Sequence, residues 1–176
     1  MATARKSAAT AALDAELGRN CKTFASRTPN WRVFALETAV DPRYARAQRR
    51  YVGASGSVSH ADAEALPAVA HTLSIMEMPE GHHQPFHHHD EDEIFFVLEG
   101  ACTVMWQEGD QVVERRLGKW DMANNPSGRI HAIRNDGPGP VFFQVMLASP
   151  RPARPQYEDE RLLALQRADD PDNKKK

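Results

Sequence analysis

Residues 85–100, PFHHHDEDEIFFVLEG, set two histidines in an i, i+2 relation and a glutamate four positions beyond the second. In an extended strand successive side chains point to opposite faces, so His87 and His89 lean to one side and His88 to the other. After a short acidic turn, Glu93 opens an apolar run that can return antiparallel and bring its carboxylate towards the same two imidazoles. Two neutral nitrogens and a carboxylate oxygen converging on one point suit a first-row transition-metal ion. An ion held by so few protein ligands keeps open positions, and open positions do chemistry.

A second histidine stands in PSGRIHAIRN, residues 126–135. Pro126 and Gly128 shape a tight turn, and on the strand that follows Arg129, His131 and Ile133 share one face. If that face points inwards, His131 supplies a third nitrogen. Arg129 on the same face is a candidate clamp for a substrate carboxylate, although arginines at strand ends ordinarily reach solvent. Phe95 lies on the Glu93 face and is a candidate pocket wall, with packing of the interior as the plainer role. Met76, Met78, Met105 and Met122 read as core filling, and Cys102 as a small buried apolar residue. Alternation sets His88 aside; His82 and His83, ahead of Pro85, read as solvated turn residues. A histidine-rich surface tract that chelates without function is the bland alternative. The strand pattern around it and the distant His131 argue against that. No Ser-His-Asp triad, phosphate-binding loop or dinucleotide glycine pattern is present.

The elements that must position these residues follow from local pattern. Residues 7–19 are rich in helix formers and read as a short amphipathic arm. Residues 31–40 mix Val, Phe, Leu and Thr and predict a first strand. DPRYARAQRRY, from Asp41, predicts one or two helical turns carrying Arg43, Arg46, Arg49 and Arg50, which could bind an anionic substrate or partner, a solvated helix face being the blander reading. GASGS marks a loop, and ADAEALP a connector. From Thr72 onwards, short β-rich segments alternate with turn signals about every ten residues, which predicts an all-β sandwich or small barrel. Strands are expected at 72–78, 86–89, 93–98, 102–107, 112–117, 119–124, 130–134 and 141–147. PRPARPQ leaves this region extended, a last helix spans 157–167, and DDPDNKKK forms a polar, frayed tail. The organisation is thus residues 1–70 as an arm with a first strand, 71–149 as the barrel and 150–176 as the exit and tail.

The chain has 176 residues, enough for one domain whose folding needs neither disulfides nor a structural metal. Twenty-two basic against 24 acidic residues leave a net charge of −2, which gives no general attraction to nucleic acid or anionic membranes. Two distant cysteines suit a reducing compartment. The N-terminus does not read as a signal peptide, and no apolar run approaches the ~18 residues of a membrane span. A cytoplasmic protein is expected.

Taken together the motif residues resemble the cupin superfamily. Gly81, His87, His89, Glu93 and Gly100 match the first cupin motif, G-x5-H-x-H-x3-E-x6-G, with every spacing kept. Pro126, Gly128, His131 and Asn135 match the tail of the second, P-x-G-x2-H-x3-N. The start of that second motif departs: Trp120 stands where cupins usually have glycine, followed by the familiar Asp121, which implies a different turn or an aromatic ring filling nearby space. The resemblance covers about residues 73–147. It implies a double-stranded β-helix (jelly-roll) barrel with helical arms, and one divalent metal near one mouth on His87, His89, Glu93 and His131. Fe(II) is favoured, with Mn, Ni, Co or Zn also fitting these donors. The expected function is a mononuclear non-haem metal dioxygenase acting on a small organic acid or aromatic compound. A redox-neutral isomerase or lyase and a non-catalytic metal-dependent binding protein are the alternatives. A homodimer that covers exposed sheet edges through the N-terminal arm is expected, as in many cupins.

Overall fold

The computed structural model describes residues 8–53, 62, 65–151 and 154–169. Most of GASGS and of the connector, part of PRPARPQ and the final tail lie outside the described residues.

Alternation builds the sheets. β1 (Ala47–Val52), β2 (Thr72–Met78), β4 (Glu93–Glu99), β7 (Met122–Asn125) and β9 (Val141–Leu147) form one five-stranded sheet, ordered β1-β2-β9-β4-β7. β3 (His87–His88), β5 (Ala101–Glu108), β6 (Gln111–Gly118), β8 (His131–Arg134) and β10 (Gln156–Tyr157) form the other, ordered β10-β3-β8-β5-β6. Every pairing between these strands is antiparallel. The chain repeatedly crosses from one sheet to the other, in the double-stranded β-helix manner. β2 and β9 bury every second residue, and β4 does so along its first five, so one face of each carries the core. Met76, Phe95, Val97, Val104, Ile133 and Phe143 fill the space between the sheets. The rings of Phe95 and Phe143 meet edge to face at 5.7 Å.

Gly100 makes the β4–β5 turn possible. It has φ +78°, and a Cβ there would stand 2.9 Å from the Pro140 carbonyl oxygen. Trp120 has φ +76°, the left-handed conformation for which glycine is the ordinary residue. The departure from the motif therefore costs backbone strain rather than a new turn. The Trp120 amide donates to Val97 O at 2.9 Å, and its ring stays largely in solvent, tilted against Phe96 at 6.1 Å.

Outside the barrel core several expectations change. Residues 31–34 form turns that lead into helix α2 (Ala35–Thr38), not a strand. The edge of β2 is already taken by β1, and just before this segment Asn30 reaches β1 as a single bridge to Gln48. The expected arginine helix is one 3-10 turn, Pro42–Tyr44, followed by β1 itself. Only Arg43 is solvated, held by Asp41; Arg49 faces outwards onto Glu77 at 2.7 Å and over the Phe24 ring; Arg46 and Arg50 are buried. The exit segment adds β10, which pairs with β3, so the last helix, α3 (Glu160–Asp169), begins after Tyr157 rather than at it. Both sheets thus extend beyond residues 71–149. In helix α1 (Ala8–Asn20) both Leu13 and Leu17 are exposed.

Where β1 and β10 meet the outside edge of their sheets, a buried polar cluster ties the two chain ends together. Glu37 accepts from Arg46 Nη1 at 2.6 Å and from the Tyr157 hydroxyl at 2.8 Å. The Arg46 guanidinium also lies 3.5 Å over the Phe34 ring. Burial and the adjoining Glu37 push the Tyr157 hydroxyl far up from its ordinary value, so it stays a donor.

Candidate metal centre

Each candidate donor sits at the end of a strand. His87 opens β3, His89 follows it, Glu93 opens β4 and His131 opens β8. His87 and His131 are direct cross-strand partners, with ring centroids 4.6 Å apart. The turns between these strands are stitched to one another. Ser127 N donates to Asp92 Oδ1 at 2.9 Å, Ser127 Oγ to Asp90 O at 2.7 Å, and Gly128 N to His89 O at 2.8 Å. The acidic turn and the PSG turn thereby hold the two halves of the site in register. Asn125 donates to Glu93 O at 3.2 Å and accepts from Trp106 Nε1 at 2.9 Å, which braces the start of β4.

All four side chains are buried. The ligand-capable atoms of His87, His89 and Glu93 lie within 4.8 Å of one another, so this cluster can hold one metal ion. His131 Nε2 is 2.8 Å from Glu93 Oε2. His87 Nδ1 lies 2.8 Å from Pro85 O, and His131 Nδ1 lies 2.7 Å from Arg129 O. A carbonyl can only accept, so in both rings Nδ1 carries the proton; His87 Nε2 keeps a lone pair for a ligand, whereas His131 Nε2 is engaged with the Glu93 carboxylate here and would turn its lone pair to an ion when one is bound. The donor chemistry fits a divalent first-row ion. Burial alone would raise Glu93, but the His89 ring and the interactions with His131 and His87 outweigh it and hold the carboxyl well below its usual range. Burial drives His89 down to about 4, against the opposing pull of Glu93.

The other singled-out residues distribute as follows. Phe95 is fully buried, packed between Phe143 and the edge of the His131 ring at 5.7 Å. His88 points away from the cluster towards Glu158 at 3.6 Å. Arg129 precedes β8 instead of lying on it, and its guanidinium is taken up by Glu108 at 3.1 Å and the Trp106 ring at 5.4 Å. His82 and His83 are half-buried rather than solvated: His82 Nδ1 contacts Ala45 O at 2.8 Å, and His83 packs edge-on against Tyr44. Met76, Met78 and Met105 are core residues, whereas Met122 is exposed, and Cys102 is fully buried with its thiol pushed up to about 12. Trp106 and Asn125 were missed; the parity of Cys102, Val104 and Trp106 along β5 was the available signal for the first.

Residues 74–147 match the family model for the cupin domain. Together with the two-sheet fold, this supports a cupin-superfamily domain over these residues. Over 60 residues it is 42% identical to the dimethylsulfoniopropionate lyase DddQ of Ruegeria pomeroyi, a stretch that covers 34% of this chain and 28% of that enzyme. The chain thus spans under a third of the length of that curated relative. The crystal structure of the same lyase superposes with a TM-score of 0.51 at 27% identity, over 64% of this chain and 51% of the lyase. An oxalate decarboxylase from Lactobacillus farciminis, solved as a formate complex, also gives 0.51, at 17% identity, over 64% of this chain and 31% of its own; at that identity the likeness concerns the fold. Among the described residues no helix is long and apolar enough to cross a membrane.

Proposed function

We propose that the chain is a metal-dependent lyase acting on a small carboxylate-bearing molecule, with His87, His89, Glu93 and His131 holding one divalent ion. The observation that carries this reading is the convergence of three imidazoles on one buried carboxylate, with the Nδ1 atoms of His87 and His131 fixed by backbone carbonyls so that their Nε2 atoms face Glu93. Likeness to a lyase in both sequence and structure favours redox-neutral chemistry over oxygenation. When bound, the ion would act as a Lewis acid that polarises a substrate oxygen. The protein's own part is to keep the site dry and fixed: Phe95 walls it with a ring that can move no proton, and Trp106 and Asn125 brace the Glu93 strand.

The donors suit Fe, Mn, Ni, Co or Zn, and an iron-dependent dioxygenase is the competing reading because such a set leaves positions open on an octahedral ion. One assay separates the two. Protein reconstituted with each ion is offered dimethylsulfoniopropionate and related short acids, in air and under argon. Cleavage that proceeds under argon supports the lyase; turnover only with Fe(II) and oxygen overturns it in favour of the oxygenase. A cytosolic homodimer completes the proposal. Its contact would be sought at the exposed Val113, Trp120 and Met122, since the 31–40 segment is folded against its own chain. A concentration-independent monomer in light scattering would refute the dimer.

A further inference from the structure

Apart from the metal cluster, a polar strip on β1 and β2 also faces the space between the sheets. Thr72 and Ser74 share the inward face of β2 with the core residues Met76 and Met78. On β1, Gln48 pairs with Met76 and Arg50 with Ser74, so both face inwards, and both are buried. The strip lies at the metal end of the fold. Thr72 pairs with Leu147, which pairs with Glu93; Ser74 pairs with Val145, which pairs with Phe95. Thr72 therefore stands in the same cross-strand rank as Glu93, two strands away, which is roughly 10 Å by strand spacing.

Two features of this strip point to a ligand. The Thr72 hydroxyl is fully buried and has no hydrogen-bond partner among the described residues, an arrangement folded proteins rarely tolerate without a use for it. Arg50 is a guanidinium sunk into the interior at 3% exposure, with Nε donating to Gln48 Oε1 at 2.8 Å. Burial lowers its pKa, opposed by the charge of Asp62, which is itself in a salt bridge with Arg27. A planar fork of donors beside two hydroxyls is the chemistry that recognises a carboxylate.

We propose that Arg50, with Thr72 and Ser74 beside it, anchors the carboxylate of the substrate while the reacting end of that molecule lies at the His87–His89–Glu93 cluster. This rests on the proposed function and names its recognition element, in place of Arg129. The distance between the two stations suits an aliphatic acid a few atoms long.

The test uses the metal-loaded protein and its R50K, R50Q and T72V variants. Each is titrated calorimetrically with acetate, propionate, butyrate and valerate and with the matching primary amides, and its metal content and melting temperature are measured. The acids should bind the wild type at least about tenfold more tightly than the amides. R50Q should bring the acids down to amide affinity, R50K should lose several-fold because a lysine lacks the fork, and T72V should lose a few-fold, all with metal content unchanged. If R50Q does not fold, R50K and T72V carry the comparison. Equal binding of acids and amides by the wild type, or acids bound undiminished by the Arg50 variants, would overturn the anchor. Should the wild type take up no metal, the lyase reading falls, and acid-over-amide preference in the metal-free protein, lost in R50Q or R50K, still decides the anchor.

Discussion

Two buried polar clusters in this molecule are built from similar materials and end in opposite states. In the Glu37–Arg46–Tyr157 cluster, one carboxylate accepts from a guanidinium and a phenol that belong to different ends of the chain. Cation and anion cancel, and donor geometry is matched to acceptor geometry. In the His87–His89–Glu93–His131 cluster a carboxylate is again buried, but its neighbours are imidazoles whose inward nitrogens converge, two of them with the outward nitrogen held by a backbone carbonyl. The first cluster pairs its carboxylate within the protein, with Arg46 Nε left over, and the second is shaped for something added. Burial of charge alone therefore says little about function; what separates the two is whether the carboxylate meets an opposite charge or a ring of ligand-capable nitrogens.

That distinction can be broken at several points. The largest effect is expected from Glu37→Ala, which leaves the Arg46 guanidinium buried without its partner: urea unfolding should show a loss of about 3–5 kcal/mol, with metal content unchanged. Altered metal binding in that variant would mean that the clusters are not separate. Glu93→Gln should do the reverse, lowering affinity for Zn(II) or Co(II) in calorimetry by on the order of 100-fold or more while costing the metal-free protein less than Glu37→Ala does. A third measurement sharpens the contrast through pH. His89 in the folded, metal-free protein titrates near 4, below the 6.5 of a free imidazole. Its contribution is therefore complete above 6.5 and drains away between 6.5 and 4, because over that range the unfolded chain takes up a proton that the folded one refuses. Unfolding curves at pH 7, 5.5 and 4.5 should fall in that order, and added Zn(II) should raise stability at pH 7 far more than at pH 4.5. The smallest effect lies away from both clusters. Trp120→Gly relieves a left-handed backbone and loses a largely exposed ring, so stability should rise by less than about 1 kcal/mol with metal binding unaltered.

The comparison also shows what a sequence discloses. The convergence of His87, His89 and Glu93 was legible because strand parity and a short turn are local, and β2, β4 and β9 were legible for the same reason. The other cluster was illegible. Glu37, Arg46 and Tyr157 are brought together by contacts that span up to 120 residues, and nothing near any of them announces the others. The arginines of β1 misled because charge at close intervals suggests a solvated helix, whereas here alternate members are buried and the helix is a strand. β10 escaped notice because two residues in a proline-rich stretch carry no periodicity. Trp106 and Asn125 lie between these cases: the parity of the first was readable, while the role of the second depends on a cross-strand neighbour.

β3 is only two residues long, and it is held by β8 on one side and by β10 on the other. Such a strand contributes little cohesion of its own, so its position is set jointly by whatever fixes His87 and by the docking of Gln156 and Tyr157. Occupancy of the centre and retention of the C-terminal segment are therefore linked by mass action, each raising the other's free energy of attachment by the same amount. A ligand that immobilises His87 should therefore slow proteolytic trimming near Glu158, and trimming there should loosen the ligand. The far end of the polypeptide thus serves as a reporter of the state of a site whose donors it does not include.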